Sequence, residues 1–147
     1  MNGHDFHGAK IALICGPDLI VYRRDRKAGI PYPGMWDLPG GGREGSETAQ
    51  ECVCREVIEE FGIAIDPASF IWTRRYPSSV ATGSASYFIV AAITSAEVSA
   101  VIFGEEGERW EMMAIDTFLN HPEAVASLQA RLADFLSENP DYRFAAN

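Results

Sequence analysis

Positive charge is scarce in this chain. Its 12 Lys and Arg stand against 21 Asp and Glu, giving a formal net charge of −9. Polymeric nucleic acid is held largely by neutralising its phosphates, so this balance argues against it as a partner. Cysteine is sparse too: Cys15, Cys52 and Cys54 form an odd set without CxxC spacing or nearby paired histidines. That excludes a disulfide framework and a structural zinc site as organising features. Long apolar stretches are missing. The longest fully apolar run, Tyr87–Ile93, is too short to span a bilayer. The opening MNGHDFHGAK is polar and has no signal-peptide core. Linkers, repeats and low-complexity tracts are also absent. The expectation is one cytoplasmic domain over residues 1–147, without membrane association, acting as a monomer or homodimer.

Hydrophobic residues make up 47% of the 147 positions, enough for a real core. An acidic surface still leaves room for a small anionic substrate, because a divalent cation and a few arginines reverse the sign of one pocket.

The richest stretch is Gly40–Ile63, GGGREGSETAQECVCREVIEEFGI. A glycine-rich segment, expected to turn tightly and expose its backbone groups, runs into a helix. Ser46 is the expected N-cap, with Glu47 in the positive first turn, and Gly62 is the expected left-handed terminator. At about 100° per residue, Glu56, Glu59 and Glu60 share one face, with Val57, Phe61, Cys54 and Ile58 opposite. Taken singly, Glu59 and Glu60 read as an ordinary solvated face. Three clustered like charges repel one another and invite a compensating cation. Arg55 lies two turns beyond Glu47, within reach of an ion pair.

Around this stretch, Gly8–Cys15, Asp18–Arg24, 68–76, 84–93 and 109–115 read as strands, the first buried on both faces. Arg23 and Arg24 should point to opposite faces, either as candidate phosphate contacts or as strand-end charges. Residues 77–83 form a small-residue loop, and 116–120 a helical turn. A helix over 122–138 carries Val125, Leu128, Leu132, Phe135 and Leu136, with Asn120 as its N-cap. Trp36, Trp72, Tyr76 and Tyr87 are candidate base-stacking surfaces, each worth about 1–3 kcal/mol if used so. Mixed strands with two helices predict an α/β layered fold.

The spacing Gly41-x5-Glu47-x7-Arg55-Glu56-Val57-x-Glu59-Glu60-x-Gly62-Ile63 resembles the Nudix box at every defining position. The preceding YRR and PGMWDLPGGG are similar to the MutT-type members. The resemblance implies the Nudix α/β/α sandwich around a mixed sheet. It also implies pyrophosphohydrolysis of a nucleoside diphosphate linkage with Mg²⁺, or alternatively Mn²⁺. Glu56, Glu59 and Glu60, with the carbonyl of Gly40, become implied metal ligands. Glu106, in the acidic loop before Trp110, is the implied further ligand, with Glu105 as fallback. Glu56 and Glu106 compete as the base. Glu47 and Arg55 are implied to be structural supports, and Asn120 a base contact if it is not a cap. The most direct substrate implication is a (deoxy)nucleoside triphosphate. ADP-ribose-cleaving relatives tend to carry a proline about where Pro77 stands, so sugar nucleotides are the alternative; strand-end punctuation is the more common use of such a proline. A non-catalytic nucleotide sensor is the reading from another class, and the intact glutamates speak against it.

Overall fold

The computed structural model describes residues 5–77 and 84–142. The expected loop over 77–83 therefore lies, beyond Pro77, outside the described residues. In chain order the elements are β1 (Gly8–Cys15), β2 (Asp18–Arg23), β3 (Trp36–Asp37), β4 (Gly40–Gly42), α1 (Ala49–Phe61), β5 (Phe70–Pro77), β6 (Ala85–Ala92), α2 (Ser95–Ser99), β7 (Arg109–Ala114), α3 (Ile115–Asn120) and α4 (Ala126–Glu138). The strands join in one sheet of order β3-β2-β1-β6-β5, with β4 also on β1 and β7 on β2. β1 runs parallel to β6, whereas its pairings with β2 and β4 are antiparallel, so the sheet is mixed.

Period-two alternation in β1 and β2 divides the core into two layers. Ile11, Leu13, Ile20 and Tyr22 face α1, where they meet Cys52, Val53, Val57 and Phe61. Ala12, Ile14, Leu19 and Val21 face the other way, onto Phe118 of α3 and Leu128, Leu132, Phe135 and Leu136 of α4. Both faces of β1 are therefore buried, as its unbroken apolar run requires. This is the expected α/β/α sandwich.

Four local expectations are corrected. The N-cap of α1 is Thr48, not Ser46: Thr48 Oγ1 accepts the Glu51 N–H, and Glu51 returns a carboxylate to the Thr48 N–H. This reciprocal capping box lies two residues beyond Ser46 and puts Glu47 outside the helix. Secondly, the apolar face of α1 is rotated from the expected one. Its buried residues are Cys52, Val53, Val57 and Phe61, while Ile58 is 53% exposed. Glu56 and Glu60 thus flank the buried face instead of opposing it.

Thirdly, Gly40–Gly42 is not a free turn but strand β4, paired with Gly8–Lys10. Glycine is required because the segment is sandwiched between β1 and α1. A Cβ on Gly40 would collide with the Ala9 carbonyl oxygen, and one on Gly41 would sit 2.6 Å from Glu56 Oε2. Lastly, α4 starts at Ala126. Residues 121–125 instead dock on β3, where Trp36 N–H donates to Glu123 O and Val125 N–H to Trp36 O. Asn120 accordingly ends α3, its Nδ2 donating to Asp116 O at 2.8 Å, and caps nothing at α4.

Candidate active site

The site grows from the contact between β4 and α1. Gly62, at φ +69°, ends α1 in the left-handed conformation that glycine adopts freely. The helix presents its C-terminal glutamates to the glycine segment. Glu60 Oε1 accepts the Gly40 N–H at 3.0 Å. Burial drives the Glu60 carboxyl up to about 8; the Gly40 N–H and the Lys10 charge oppose this, and Glu56 adds to it. Glu56 lies against Gly41, and burial raises its carboxyl as well, with Arg55 working the other way.

Arg55 gathers the remaining carboxylates. Its Nε donates to Glu47 Oε2 at 2.6 Å, and its Nη2 donates to Glu47 Oε1 and to Gly42 O. Its Nη1 lies 3.2 Å from Glu56 and 3.3 Å from Glu59. The Glu47 hydrogen bond is the largest reason that the Arg55 pKa is raised and that of Glu47 lowered. Arg55 thus staples the loop over 42–47 to α1.

Among the described residues, no three Asp, Glu, His or Cys side chains converge as a metal centre. Glu59 is turned toward Arg55, with its side chain 56% exposed. The oxygens of Glu56 and Glu60, with the backbone of β4 beside them, nevertheless form a hard, all-oxygen donor set. No Lys, Arg or His nitrogen pairs with Glu60 among the described residues. A buried carboxylate without a directly paired cation is costly, so the chemistry of these residues fits a hard divalent cation such as Mg²⁺ or Mn²⁺.

Beside them opens a cleft of about 470 Å³. Lys10, Arg24 and Arg131 line it, as do Asp37, Gly41, Gly42 and Pro77. Its floor carries a charge knot. Asp37, only 3% exposed, receives Lys10 Nζ at 3.1 Å, Arg24 Nη1 at 2.8 Å, Tyr22 OH at 3.1 Å and, on its other oxygen, Leu38 N–H at 2.7 Å. Two cations on one carboxylate leave a positive excess facing the cleft. Lys10 Nζ also donates to Leu38 O and Gly40 O, at 3.0 and 3.3 Å.

The other sequence-derived residues scatter. Arg23 and Arg24 do diverge. Arg23 stacks over Trp36 and pairs with Glu123 at 2.9 Å, with its Nε buried and unbonded. It does not line the cleft, and neither does Asn120. Glu106 lines a smaller neighbouring cleft with Tyr22, Arg24 and Gly107. Among the aromatics, Trp36 is buried at 2% exposure, Trp72 packs edge-on to Phe88 and Phe135, and Tyr87 does so to Phe6. Tyr76 carries the Arg131 guanidinium over its ring.

Sequence reasoning missed Lys10, Asp37 and Arg131. Asp37 left one weak signal, a carboxylate between Trp36 and Leu38 in an otherwise apolar extended segment. Lys10 is likewise a lone charge inside a buried strand.

A mixed-sheet α/β/α sandwich with helix glutamates held against a glycine strand beside a cationic cleft defines a hydrolase of phosphate-linked small molecules. The chain belongs to the Nudix family, whose domain model matches residues 5–135, and is a Nudix hydrolase. Solved structures share the fold. The MutT protein from Methanosarcina mazei Go1 is 19% identical, with a TM-score of 0.72 over 95% of this chain and 99% of its own. A MutT NUDIX hydrolase from Burkholderia pseudomallei is 25% identical, with a TM-score of 0.62 over 86% of this chain and 94% of its own. A bifunctional NMN adenylyltransferase/ADP ribose pyrophosphatase from Francisella tularensis, complexed with AMP and Mn ion, is 18% identical, with a TM-score of 0.69. That match covers 92% of this chain and only 42% of the bifunctional one. No helix among the described residues is long and apolar enough to cross a membrane.

Proposed function

We propose that this Nudix hydrolase is a Mg²⁺-dependent pyrophosphohydrolase of nucleoside triphosphates, releasing the monophosphate and pyrophosphate. The observation that carries the reading is the cleft. In a chain of net charge −9 it collects Lys10, Arg24 and Arg131, and it is bounded by Gly41 and Gly42 where they meet Glu56. When bound, the divalent cation would polarise the diphosphate linkage and acidify the attacking water. Glu56, Glu60 and the Gly40 carbonyl would hold it, with Glu59 joining once its carboxylate leaves Arg55. Glu56, half-buried beside Gly41, and Glu106, in the neighbouring cleft, are the two candidates to take the proton of the water. Arg24, the one sequence-derived substrate residue that lines the cleft, would meet the phosphates. Lys10 joins it through their shared partner, Asp37. Arg23 and Asn120 take structural roles in this reading, and Glu47 and Arg55 hold the loop.

A second reading, cleavage of ADP-ribose or another sugar nucleotide, is favoured by Pro77, which ends β5 at the cleft wall. One experiment separates the two. Purified protein with Mg²⁺ is incubated with nucleoside and deoxynucleoside triphosphates, oxidised purine nucleotides, ADP-ribose and dinucleoside polyphosphates, and the products are identified by chromatography. Monophosphate and pyrophosphate from a triphosphate support the first reading. AMP and ribose 5-phosphate from ADP-ribose support the second. Tight nucleotide binding without turnover of any substrate overturns both in favour of a sensor.

A further inference from the structure

Three cations line the large cleft, and two of them are already committed. Lys10 and Arg24 share the Asp37 carboxylate. Arg131, on α4, has no carboxylate within 4.0 Å among the described residues; the nearby Asp134 pairs with Arg74 and accepts the Tyr76 hydroxyl. The Arg131 guanidinium is half-buried and held from two sides. Its Nη1 donates to Ser86 Oγ at 2.9 Å, and its Cζ lies 4.4 Å from the centroid of the Tyr76 ring. Burial lowers its pKa, the mark of a charge that has lost water. Guanidinium has five N–H donors, and Ser86 uses one of them. A partly desolvated, positioned guanidinium on a cleft wall, with no carboxylate paired to it among the described residues, is poised for a further acceptor.

The surroundings select the kind of acceptor. Besides Arg131, the cleft is lined by Leu128, Val125 and Pro77, apolar side chains that suit a nucleobase better than a hydrated phosphate. Lys10 sits instead by the glycine strand, where it reaches Gly40 O, and Arg24 is tied to it through Asp37. Phosphates at the glycine strand place the base of the same nucleotide toward α4.

We propose that Arg131 is the specificity residue of this cleft, and that it reads a base edge on which two hydrogen-bond acceptors stand side by side. The rigid fork of guanidinium matches such a pair through two parallel N–H bonds. Guanine and hypoxanthine offer O6 with N7, and cytosine offers O2 with N3. Adenine sets its N6 amino donor beside both N1 and N7, and uracil sets a ring N–H between its carbonyls. The inference rests on the nucleotide reading above and narrows it, favouring 6-oxopurine or cytosine nucleotides over ADP-ribose.

Binding tests it without requiring turnover. The α,β-methylene analogues of GTP, ITP, CTP, ATP and UTP carry one common phosphate chain, and their affinities for the full-length protein with Mg²⁺ are measured calorimetrically. The wild type is expected to bind either the GTP and ITP analogues or the CTP analogue about 10- to 100-fold more tightly than those of ATP and UTP. Which group gains shows whether the edge is purine or pyrimidine. Arg131→Ala should bring the affinities of the five analogues to within about threefold of one another, and the readout is this ratio, not the affinity for any one of them. Arg131→Lys, which keeps the charge but not the fork and serves if the alanine variant fails to fold, should also lose the preference. Equal affinity for all five analogues, equal weakening of all five by Arg131→Ala, or no detectable binding would overturn the assignment. Arg131-dependent discrimination in a protein that hydrolyses nothing would sink the hydrolase mechanism and leave this inference standing.

Discussion

Glu60 Oε1 accepts the backbone N–H of Gly40 at 3.0 Å, and this bond joins the end of α1 to the glycine strand. It is formed in a place where a charged carboxylate is disfavoured, so it links folding to proton uptake. Burial raises the Glu60 carboxyl from about 4.5 to about 8. The native state therefore holds a proton that the unfolded chain releases above about pH 4.5. Stability tied to that proton is full below the unfolded value and falls as pH rises through the folded value. In EDTA, the melting temperature should decline between about pH 5 and pH 8, and Glu60→Gln should flatten the decline. Parallel pH profiles for the two proteins would refute the coupling. Groups remote from Glu60 titrate in both proteins alike, so the difference between profiles reports Glu60 together with Glu56, whose charge acts on it.

The same substitution tests the proposed metal role. Gln keeps the shape of Glu60 and an acceptor for the Gly40 N–H, but it cannot supply an anionic oxygen. Loss of an outer-shell partner costs a metal site about 10- to 100-fold, so loss of a direct ligand should cost at least about 100-fold in kcat/KM. The circular dichroism spectrum should be unchanged. Near-normal turnover in Mg²⁺ would remove Glu60 from the ligand set.

Thr48 and Ser46 offer a stability test of where α1 begins. Thr48 Oγ1 accepts the Glu51 N–H at 3.1 Å, and Glu51 Oε1 accepts the Thr48 N–H at 2.9 Å. Ser46 has no part in the cap. Thr48→Ala should cost about 0.5–2 kcal/mol, as loss of an N-cap does. Ser46→Ala should fall within about 0.5 kcal/mol of wild type, as surface changes usually do. Urea melts of the two variants settle the order, and equal costs would contradict the observed cap.

That contrast also marks where the sequence was legible. The box residues are neighbours along one helix and one loop, so spacing alone put Glu47 beside Arg55 and Glu56 beside Glu60. Thr48-x-x-Glu51 has capping-box spacing, and the cap forms there and not at Ser46, two residues nearer the glycines. Rotation of the α1 apolar face could not be read from Cys54 and Ile58, because which apolar residues are buried depends on where β1 and β2 lie. The late start of α4 has the same origin: Trp36 captures residues 121–125 in backbone hydrogen bonds, and this pairing overrides local helical periodicity. The knot around Asp37 was least accessible of all. It needs Lys10 from β1, Tyr22 and Arg24 from the β2 side and Asp37 from β3, brought together only by the register that sets Tyr22 opposite Asp37.

Asp37 supplies the sharpest stability prediction. Its Oδ2 is shared by Lys10, Arg24 and Tyr22, and its Oδ1 takes the Leu38 N–H. Removing the carboxylate leaves Tyr22 OH buried without its acceptor and leaves two cations facing each other with no counter-charge. Breaking a buried pair from one side costs about 3–5 kcal/mol, and the partial exposure of Lys10 and Arg24, at 23% and 20%, places Asp37→Ala toward the lower end. Tyr22→Phe removes a single hydrogen bond and should cost about 1 kcal/mol. If the knot acts as one unit, the double variant should be less destabilised than the sum of the two singles, because Asp37→Ala has already removed what Tyr22 OH binds. Chemical denaturation of the four proteins in this cycle measures the coupling. Strict additivity would show that the hydroxyl and the carboxylate contribute independently, and would remove the knot as a cooperative floor for the cleft.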